Sequence, residues 1–409
     1  MRVASVEDAA REIVAAVSAQ PPLRMPLLDA CGHVLGEDIV AGVALPPWTN
    51  AGMDGYATRA DDIHGASWET PVRLRIIATI AAGTVAEQSL GPGDAARIYT
   101  GAPLPPGADS VVRQEDTDRD GNTVIIHRDR DAGGNVRHAG GDLAHGALAL
   151  AAGTVVGPHE VALLAALAVA HPVVHRRPRV GILTSGDELV SIDHPDDILA
   201  ARRQADVNGP ALAALVRHAG GIAVPLGIAR DDPQELRRLI DAADDVDLLI
   251  TAGGVSVGDH DHVRAVMAAC QVGTAFDRVR MRPGGPTVFG TFPDGRPWLA
   301  LPGNPVSAMV TFELFGRPAI RRMAGHRDPF PPRMRAVLRG EVRRDATLDQ
   351  YLRVRFEWHD DGNRPTAELT GAQGSGMLMS LVRADGLVIV PAGRDALPAN
   401  STVSAIRFS

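Results

Sequence analysis

The period of the hydrophobic pattern changes along the chain, and each change predicts a different kind of secondary structure. Near the start, Ser5 and Asp8 form a helix-capping pair, and apolar residues follow at helical spacing as far as Val17. From Leu45 to about Val136, segments such as VRLRIIATI and TVIIH alternate or are β-branched, and glycine-rich turns separate them. These patterns predict a short helix followed by a small β domain.

An apolar segment follows the predicted β domain. The run VALLAALAVAHPVV is interrupted by His171 and Pro172, and it is shorter than the roughly 18 apolar residues that a membrane-spanning helix needs. We therefore expect no membrane span, and we expect this segment to pack against the N-terminal residues. Residues 1–45 and 137–177 would then form one composite domain, with residues 46–136 as a β domain inserted into it.

Strands and helices alternate between residue 179 and about residue 325. The segments RVGILTS, IAVPLGI and DLLIT are typical of buried strands, and amphipathic helices follow them. We expect Asn208 to cap one of these helices and Asp232 to cap the next, which has Pro233 at its first position. Repeated strand–helix units predict a mostly parallel sheet with helices on both faces, in an α/β domain over residues 178–327.

The last part of the chain, residues 328–409, returns to a β pattern. Its segments MRAVLRGEV, YLRVRFEW, GLVIVP and TVSAIRF are separated by turns, which predicts a small barrel or sandwich. The fold class expected for the whole chain is therefore α/β plus β. Its 409 residues suffice for two to four domains, since domains usually contain about 100–200 residues.

Composition narrows the classes of function. The formal net charge of −8 argues against nucleic-acid binding, which needs a basic surface. The two cysteines, Cys31 and Cys270, form no CxxC pair, and carboxylates interrupt the N-terminal apolar pattern, so we expect a cytoplasmic protein without a signal peptide or zinc ribbon. The chain contains no lysine, which excludes a Walker A lysine and a lysine Schiff base.

The candidate chemistry lies in the loops that follow the strands of the α/β domain, because ligands of open parallel sheets bind there. These loops span residues 184–188, 230–233, 253–261 and 302–307. Glycine turns bring backbone amides close to a phosphate, and the carboxylates of Glu188, Asp231 and Asp261 are oxygen ligands suited to Mg²⁺. The loops together predict a phosphate ester bound with a divalent cation.

A purely structural interpretation competes with this one. Asp232 and Asp259 are well placed as helix caps, and tight strand-to-helix turns need glycine whether or not they bind a ligand. Glu188, Asp231 and Asp261, taken one at a time, fit either interpretation. Their common edge of the sheet favours a function.

Longer motifs follow one another in order over nearly the whole chain. They are GMDGYA (52–57), RIYTGAPLPPGADSVV (97–112), LTSGDEL (183–189), ITAGGVSVGDHD (250–261), MRPGGPTVFG (281–290) and LPGNPVSA (301–308). With this order and spacing the chain resembles the molybdopterin molybdenumtransferase family, whose fold also occurs as the E-domain of gephyrin.

The resemblance implies an elongated multidomain homodimer. Its domains would be the composite N-terminal domain, the inserted β domain, a mostly parallel three-layer α/β/α molybdopterin-binding domain and a C-terminal β barrel. Members of the family use Mg²⁺ to insert molybdate into adenylylated molybdopterin and release AMP. The resemblance also implies transient contact with the molybdopterin adenylyltransferase. In the family's dimer, the GMDGYA and TGAP loops of one subunit face the α/β site of the other.

The resemblance assigns functional residues by motif. The catalytic residues would be Asp54, Thr100, Glu188, Asp231 and Asp261, of which the last three would bind Mg²⁺. The substrate-binding residues would be Ser185, Gly186, Gly253, Gly254, Ser256, Gly258, Arg278, Arg282, Pro302, Gly303, Asn304, Pro305 and Ser307.

The chain departs from the family pattern at several positions. Arg278 and Arg282 stand where lysines are usual, and Gly285 occupies a third lysine position. His33 replaces an arginine, and Gly141 replaces an acidic residue. Because arginine keeps the charge but presents a planar fork, the choice of oxyanion stays open. Two alternatives stay open as well: a molybdopterin adenylyltransferase or related nucleotide-handling enzyme on the same α/β module, and a gephyrin-like scaffold.

Overall fold

The structure is a computed structural model that describes residues 2–84, 87–254, 262–343, 347–359, 364–393 and 396–408. The chain divides into two compact units. Unit 1 comprises Met1–Gly36, Gly153–Gly157 and His171–Ser409, and unit 2 comprises Glu37–Ala152 and Pro158–Ala170. The domain boundaries expected above remain a prediction.

The helices follow in chain order. They are α1 (Val6–Ala15), α2 (Ala60–Ile63), α3 (Pro158–Ala166), α4 (Pro195–Leu199), α5 (Asn208–His218), α6 (Pro233–Asp241), α7 (His262–Ala269), α8 (Pro305–Thr311), α9 (Arg317–Met323) and α10 (Leu378–Val382). A 3₁₀ turn covers Gln114–Asp116, and a π-helical turn at Phe312–Gly316 joins α8 to α9. No helix in the described ranges has the length and apolarity that a bilayer crossing requires.

The strands of the first part of the chain are β1 (Val3–Ala4), β2 (Pro22–Arg24), β3 (Ile39–Val40), β4 (Asn50–Ala51), β5 (Gly55–Thr58), β6 (Val72–Ile80), β7 (Asp94–Ile98), β8 (Ser110–Arg113), β9 (Thr117–Asp120), β10 (Thr123–Ile126), β11 (Val136–Arg137), β12 (Leu148–Leu150) and β13 (Val173–His175). Those of the middle part are β14 (Arg179–Ser185), β15 (Leu189–Val190), β16 (Gln204–Ala205), β17 (Ile222–Ala229), β18 (Leu248–Ala252), β19 (Gly273–Phe276), β20 (Arg278–Val279), β21 (Met281–Arg282), β22 (Val288–Thr291) and β23 (Pro297–Leu301). The last part holds β24 (Arg333–Leu338), β25 (Val342–Arg343), β26 (Asp349–Glu357), β27 (Thr366–Leu369), β28 (Gly386–Val390), β29 (Ala396–Leu397) and β30 (Thr402–Arg407).

Unit 2 contains the expected β structure. Its six-stranded sheet has the order β8-β5-β7-β6-β10-β9, and the segments VRLRIIATI and TVII form β6 and β10 as predicted. Successive side chains point to opposite faces of a strand. Tyr56 and Ala57 of β5 accordingly belong to two different apolar clusters, one on each face of the sheet.

Unit 1 contains the predicted three-layer α/β/α arrangement. Its sheet has the order β17-β14-β18-β23-β22-β19, with the first four strands parallel and β22 and β19 antiparallel at one edge. Ile182 and Ile250 pack with α5 and α8 in one cluster, whereas Leu183 and Leu249 pack with α6 and α7 in another. Residues buried on both faces explain why these strands are almost continuously apolar.

The helix caps agree with the sequence in two places and differ in one. Ser5 Oγ accepts from the amide of Asp8 at 3.1 Å, and Asp232 accepts from the amide of Gln234 at 3.0 Å. The predicted cap at Asn208 is wrong. Asp206 Oδ1 accepts from the Gly209 amide at 2.9 Å instead, and Asn208 is already helical.

The C-terminal strands of unit 1 form a closed barrel. Strand β26 pairs with β27, β27 with β24, β24 with β30, β30 with β28, and β28 again with β26. The sequence left a barrel and a sandwich as alternatives. The strands form a barrel, because they close into a ring without a free edge.

Candidate functional site

A cavity of about 500 Å³ lies at the carboxyl ends of β14, β18 and β23. It is lined by Ser185, Gly186, Glu188, Leu189, Gln204, Ala205, Asp206, Val207, Asn208, Asp231, Gly253, Gly254, Pro286, Pro302, Gly303, Asn304 and Pro305. Each of the four loops identified from the sequence contributes residues to this lining. The expectation that these loops share one cleft therefore agrees with the structure over the described residues.

Three of the loops approach one another backbone to backbone. A Cβ atom on Gly253 would lie 2.5 Å from the carbonyl oxygen of Ser185, and one on Gly303 would lie 3.4 Å from the Cα of Gly253. Gly253 also has a φ of +95°, which side chains rarely permit. Glycine is required here by close packing and by backbone conformation together.

Side chains connect the remaining loop to this group. Ser185 Oγ donates to Asp231 Oδ1 at 3.1 Å, and the Asp231 amide donates to Asp187 Oδ1 at 3.1 Å. The Glu188 carboxylate lies against Gly186, where a Cβ would be 2.7 Å from Glu188 Oε2. Glu188 and Asp231 are thus two of the three acidic residues that line the cavity, and Asp206 is the third.

Two of the glycine amides that were expected to contact a phosphate already donate hydrogen bonds within the protein. The Gly186 amide donates to the Ala229 carbonyl and the Gly253 amide to the Leu301 carbonyl, both at 3.2 Å. An N–H group has one proton to donate, so these two amides are already engaged. Substrate contact at Gly186 and Gly253 stays a prediction, and it would come from the close approach that a missing side chain permits.

The sequence interpretation missed part of the lining. Asp206 is buried and accepts from Thr184 Oγ1 and from the Gly209 amide, both at 2.9 Å. Asn208 is also buried, and its Nδ2 donates to the Gly303 carbonyl at 2.7 Å. The sequence did contain an indication of the role of Asp206, because an aspartate three residues before a glycine at the start of a helix can act as its cap. The neighbouring Asn208 offered a competing cap.

Several residues that the sequence predicted to bind substrate do not line the main cavity. Arg282 lines a second cavity of about 390 Å³, and Arg278 is on β20, away from the linings of both cavities. Ser307 is buried in α8 and does not line the main cavity. Ser256, Gly258 and Asp261 lie outside the described residues, so their expected roles remain predictions.

The second cavity is rich in arginine. Its lining consists of Arg282, Pro283, Arg343, Gln350, Leu352, Arg353, Gln373 and Gly374. Arg353 is fully buried, and it donates from Nε to Ser380 Oγ and from Nη2 to the Gly374 carbonyl, both at 3.0 Å. These two hydrogen bonds fix the position of the guanidinium beside the cavity.

Asp54 and Thr100 form a pair within unit 2. Asp54 Oδ1 accepts from the amide and from the hydroxyl of Thr100, both at 2.8 Å. These two hydrogen bonds, the backbone one first, lower the pKa of Asp54 below its ordinary value because they stabilise the charged carboxylate. The Thr100 hydroxyl donates its proton to Asp54. Its oxygen can therefore only accept a hydrogen bond from a third group.

The acidic residues of the main cavity offer oxygen ligands of the kind that Mg²⁺ takes. Among the described residues, no group of three or more His, Cys, Asp or Glu side chains is arranged to hold a metal ion. Glu188 and Asp231 supply two carboxylates, and Mg²⁺ usually takes one or two carboxylates together with substrate phosphates. The donor set therefore fits a magnesium ion that arrives with a phosphorylated substrate.

Three family models match consecutive parts of the chain. They are the MoeA N-terminal region (domain I and II) at residues 4–168, the probable molybdopterin binding domain at residues 181–322, and the MoeA C-terminal region (domain IV) at residues 335–408. The matches extend over the same stretches that hold the sequence motifs.

Curated relatives and solved structures agree with these models. A molybdopterin molybdenumtransferase from Nostoc sp. is 35% identical over 390 residues, 93% of this chain and 87% of the relative. Molybdopterin molybdenumtransferase 2 from Mycobacterium tuberculosis is 37% identical over 95% of both chains. The crystal structure of a molybdopterin biosynthesis MoeA protein from Pyrococcus horikoshii OT3 has a TM-score of 0.85 and 26% identity, with 100% of both chains covered.

Proposed function

Because the chain belongs to the molybdopterin molybdenumtransferase family, we propose that it carries out Mg²⁺-dependent insertion of molybdate into adenylylated molybdopterin, with release of AMP. The observation that carries the proposal is the meeting of Glu188, Asp231 and three glycine-containing loops around one cavity of about 500 Å³. A cavity of this size holds a drug-sized organic ligand, and its carboxylates suit a cation bound to a phosphoanhydride.

Glu188 and Asp231 would hold the magnesium ion, with Asp261 as a further ligand. When bound, the ion stabilises negative charge on the phosphate oxygens, which contributes several kcal/mol in reactions of this class. Ser185 donates to Oδ1 of Asp231, and the second carboxylate oxygen, Oδ2, would bind the ion. The bond that breaks would be the phosphoanhydride between the AMP group and the molybdopterin phosphate. An oxygen from water would add to one of the two phosphorus atoms, so that AMP leaves and the molybdopterin phosphate is released from it.

The arginine-rich second cavity is the proposed entry point for the oxyanion. Arg282 lines this cavity, and its fork-shaped guanidinium matches the oxygens of a tetrahedral oxyanion. Molybdate and other divalent tetrahedral oxyanions share this chemistry. We therefore propose Arg282 as an oxyanion-binding residue. Arg278 has no comparable support.

Asp54 and Thr100 would act on the substrate of a second subunit. Their hydrogen-bonded pair is exposed in unit 2, and the family resemblance matches it to a loop that completes the site of the partner in a homodimer. With its proton donated to Asp54, the Thr100 oxygen would accept a hydrogen bond from the substrate. The low pKa of Asp54 keeps its carboxylate charged at neutral pH.

The proposal is tested by incubating the protein with adenylylated molybdopterin, molybdate and Mg²⁺ and following AMP and metallated cofactor together. We expect both products in equal amounts, and we expect Glu188→Gln and Asp231→Asn to slow single-turnover AMP release by about 10²-fold or more, since each removes a ligand charge. Wild-type rates in both variants would contradict the proposed metal site.

Two other outcomes would identify the alternatives. ATP-dependent adenylylation of molybdopterin, without consumption of molybdate, would indicate an adenylyltransferase on the same α/β module. Failure to bind adenylylated molybdopterin by a correctly folded protein would favour a scaffold. A chelator should abolish AMP release in the proposed reaction, and re-addition of Mg²⁺ should restore it.

A further inference from the structure

Asn208 in the main cavity carries one polar atom that has no hydrogen-bond partner among the residues that the structure describes. Its Nδ2 donates to the Gly303 carbonyl at 2.7 Å. Because a carbonyl oxygen can only accept, this bond determines which way the amide group is turned. The other atom, Oδ1, is buried and has no hydrogen-bond partner among the described residues.

The local fold does not explain this arrangement. Asp206 caps α5 through the Gly209 amide, and Asn208 makes no side-chain cap. The Asn208 residue is only 7% exposed, and a buried acceptor without a partner is destabilising. The link from Nδ2 to Gly303 ties α5 to the loop at residues 302–307. No described residue donates to Oδ1, although Asn208 lines the main cavity.

The chemistry of the acceptor limits what can bind to it. An amide oxygen needs an N–H or O–H donor and repels the oxygens of an ionised phosphate. The phosphates of a nucleotide substrate would therefore lie nearer the proposed metal ligands Glu188 and Asp231. The part of the substrate that reaches Asn208 must carry a donor, and adenine and pterin rings both carry an exocyclic amino group.

We propose that Asn208 Oδ1 accepts a hydrogen bond from the exocyclic amino group of a fused-ring heterocycle and so positions the substrate in the main cavity. This inference rests on the proposed function and adds a residue that selects the heterocycle. A site that hydrogen-bonds a substrate N–H group rejects analogues without that group far more strongly than an apolar pocket does.

Two pairs of ligands test the inference by calorimetric titration. AMP is compared with purine riboside 5′-monophosphate, which lacks the amino group, and pterin is compared with lumazine, which has an oxo group in its place. We expect the wild-type protein to prefer the amino compound of one pair by about tenfold or more. The pair that is discriminated identifies adenine or pterin as the ring at Asn208.

The variant Asn208→Leu has a similar volume and lacks both polar atoms. We expect its preference within the discriminated pair to fall to about onefold, because no acceptor remains. Asn122→Leu removes an exposed amide in a turn of unit 2, outside the cavity lining, and should keep the wild-type preference. If Asn208→Leu does not fold, as judged by circular dichroism, Asn208→Ala takes its place.

The outcomes separate the inference from the proposed function. Equal binding of both members of each pair by the wild type would overturn the inference and leave the proposed function standing, as would an unchanged preference in the Asn208 variants. Binding of none of the four compounds by the folded wild type would overturn both.

Discussion

At the scale of single residues, Asp54 shows how two neighbouring groups set the charge of a carboxyl. The Thr100 amide and hydroxyl both donate to Asp54 Oδ1, and both lower its pKa. The backbone bond has the larger effect. A carboxyl whose pKa is depressed in the folded state contributes stability above its unfolded pKa, and that contribution is lost as the pH falls through the folded value.

We predict that Thr100→Val raises the pKa of Asp54 but leaves it below the ordinary value, because the amide of residue 100 still donates. Carbon-detected NMR titration of the Asp54 carboxyl measures this directly. Thr117→Val is the matched control, since the Thr117 hydroxyl donates to the Gln114 carbonyl and does not touch Asp54. An unchanged Asp54 pKa in Thr100→Val would contradict the assigned cause.

A second residue-scale prediction concerns Gly253. Gly253 and Gly220 have nearly the same φ, +95° and +94°, but a Cβ on Gly220 would meet nothing within 4 Å. Alanine at either position should destabilise the fold by about 1–3 kcal/mol through backbone strain. Only Gly253→Ala should also lose AMP release, because its Cβ would displace the Ser185 backbone. Similar activity in the two variants, measured beside urea unfolding, would argue against this packing role.

At the scale of elements, the start of α5 is held by Asp206 and not by the asparagine that the sequence suggested. Asp206 is buried and has two donors, Thr184 Oγ1 and the Gly209 amide. Asp232, the cap of α6, has one amide donor and is exposed. A buried carboxylate with two donors connects its helix to the adjacent strand β14, whereas an exposed cap acts on its own helix alone.

We predict that Asp206→Ala lowers the free energy of unfolding by about 2–4 kcal/mol. The variant loses the cap of α5, and the buried Thr184 hydroxyl loses its acceptor. Asp232→Ala should cost only about 1 kcal/mol. Chemical denaturation of both variants under identical conditions gives the comparison. Equal losses would show that the burial of Asp206 adds nothing to its capping role.

At the scale of the whole molecule, function-related motifs occur in both units. Glu188 and Asp231 belong to unit 1, and Asp54 and Thr100 belong to unit 2. The family resemblance assigns both groups to one reaction, with the second group acting in the site of the partner subunit. This proposal can be tested by mixing variants without any knowledge of the dimer's geometry.

We predict that Asp54→Asn and Glu188→Gln are each nearly inactive, and that subunit exchange between them restores activity. Random exchange makes half of the dimers mixed, and each mixed dimer has one intact site, so about a quarter of the wild-type AMP release should return. Each variant exchanged with itself serves as the control. No recovery, in samples shown by native mass spectrometry to contain mixed dimers, would place both residues in one subunit's site.

Local chemistry explains why many elements were predictable. The capping pair at Ser5 and Asp8, the Asp232-Pro233 helix start and the apolar strands of the α/β domain depend on contacts within a few residues, so they can be recognised from spacing alone. The order of parallel strands also predicted that Glu188 and Asp231 would share an edge, since carboxyl ends of such strands lie together.

The sequence by itself determined the alternation of strands and helices in the α/β domain and the β patterns that precede and follow this domain in the chain. It also determined the order of motifs that identifies the family. Only the tertiary structure decided that the last strands close into a barrel, that Asp206 caps α5, and that Arg282 lies with Arg353 in a separate cavity. Those features depend on residues that are distant in the chain and close in space. Periodicity records which face of an element is buried, but it does not record which other element covers that face.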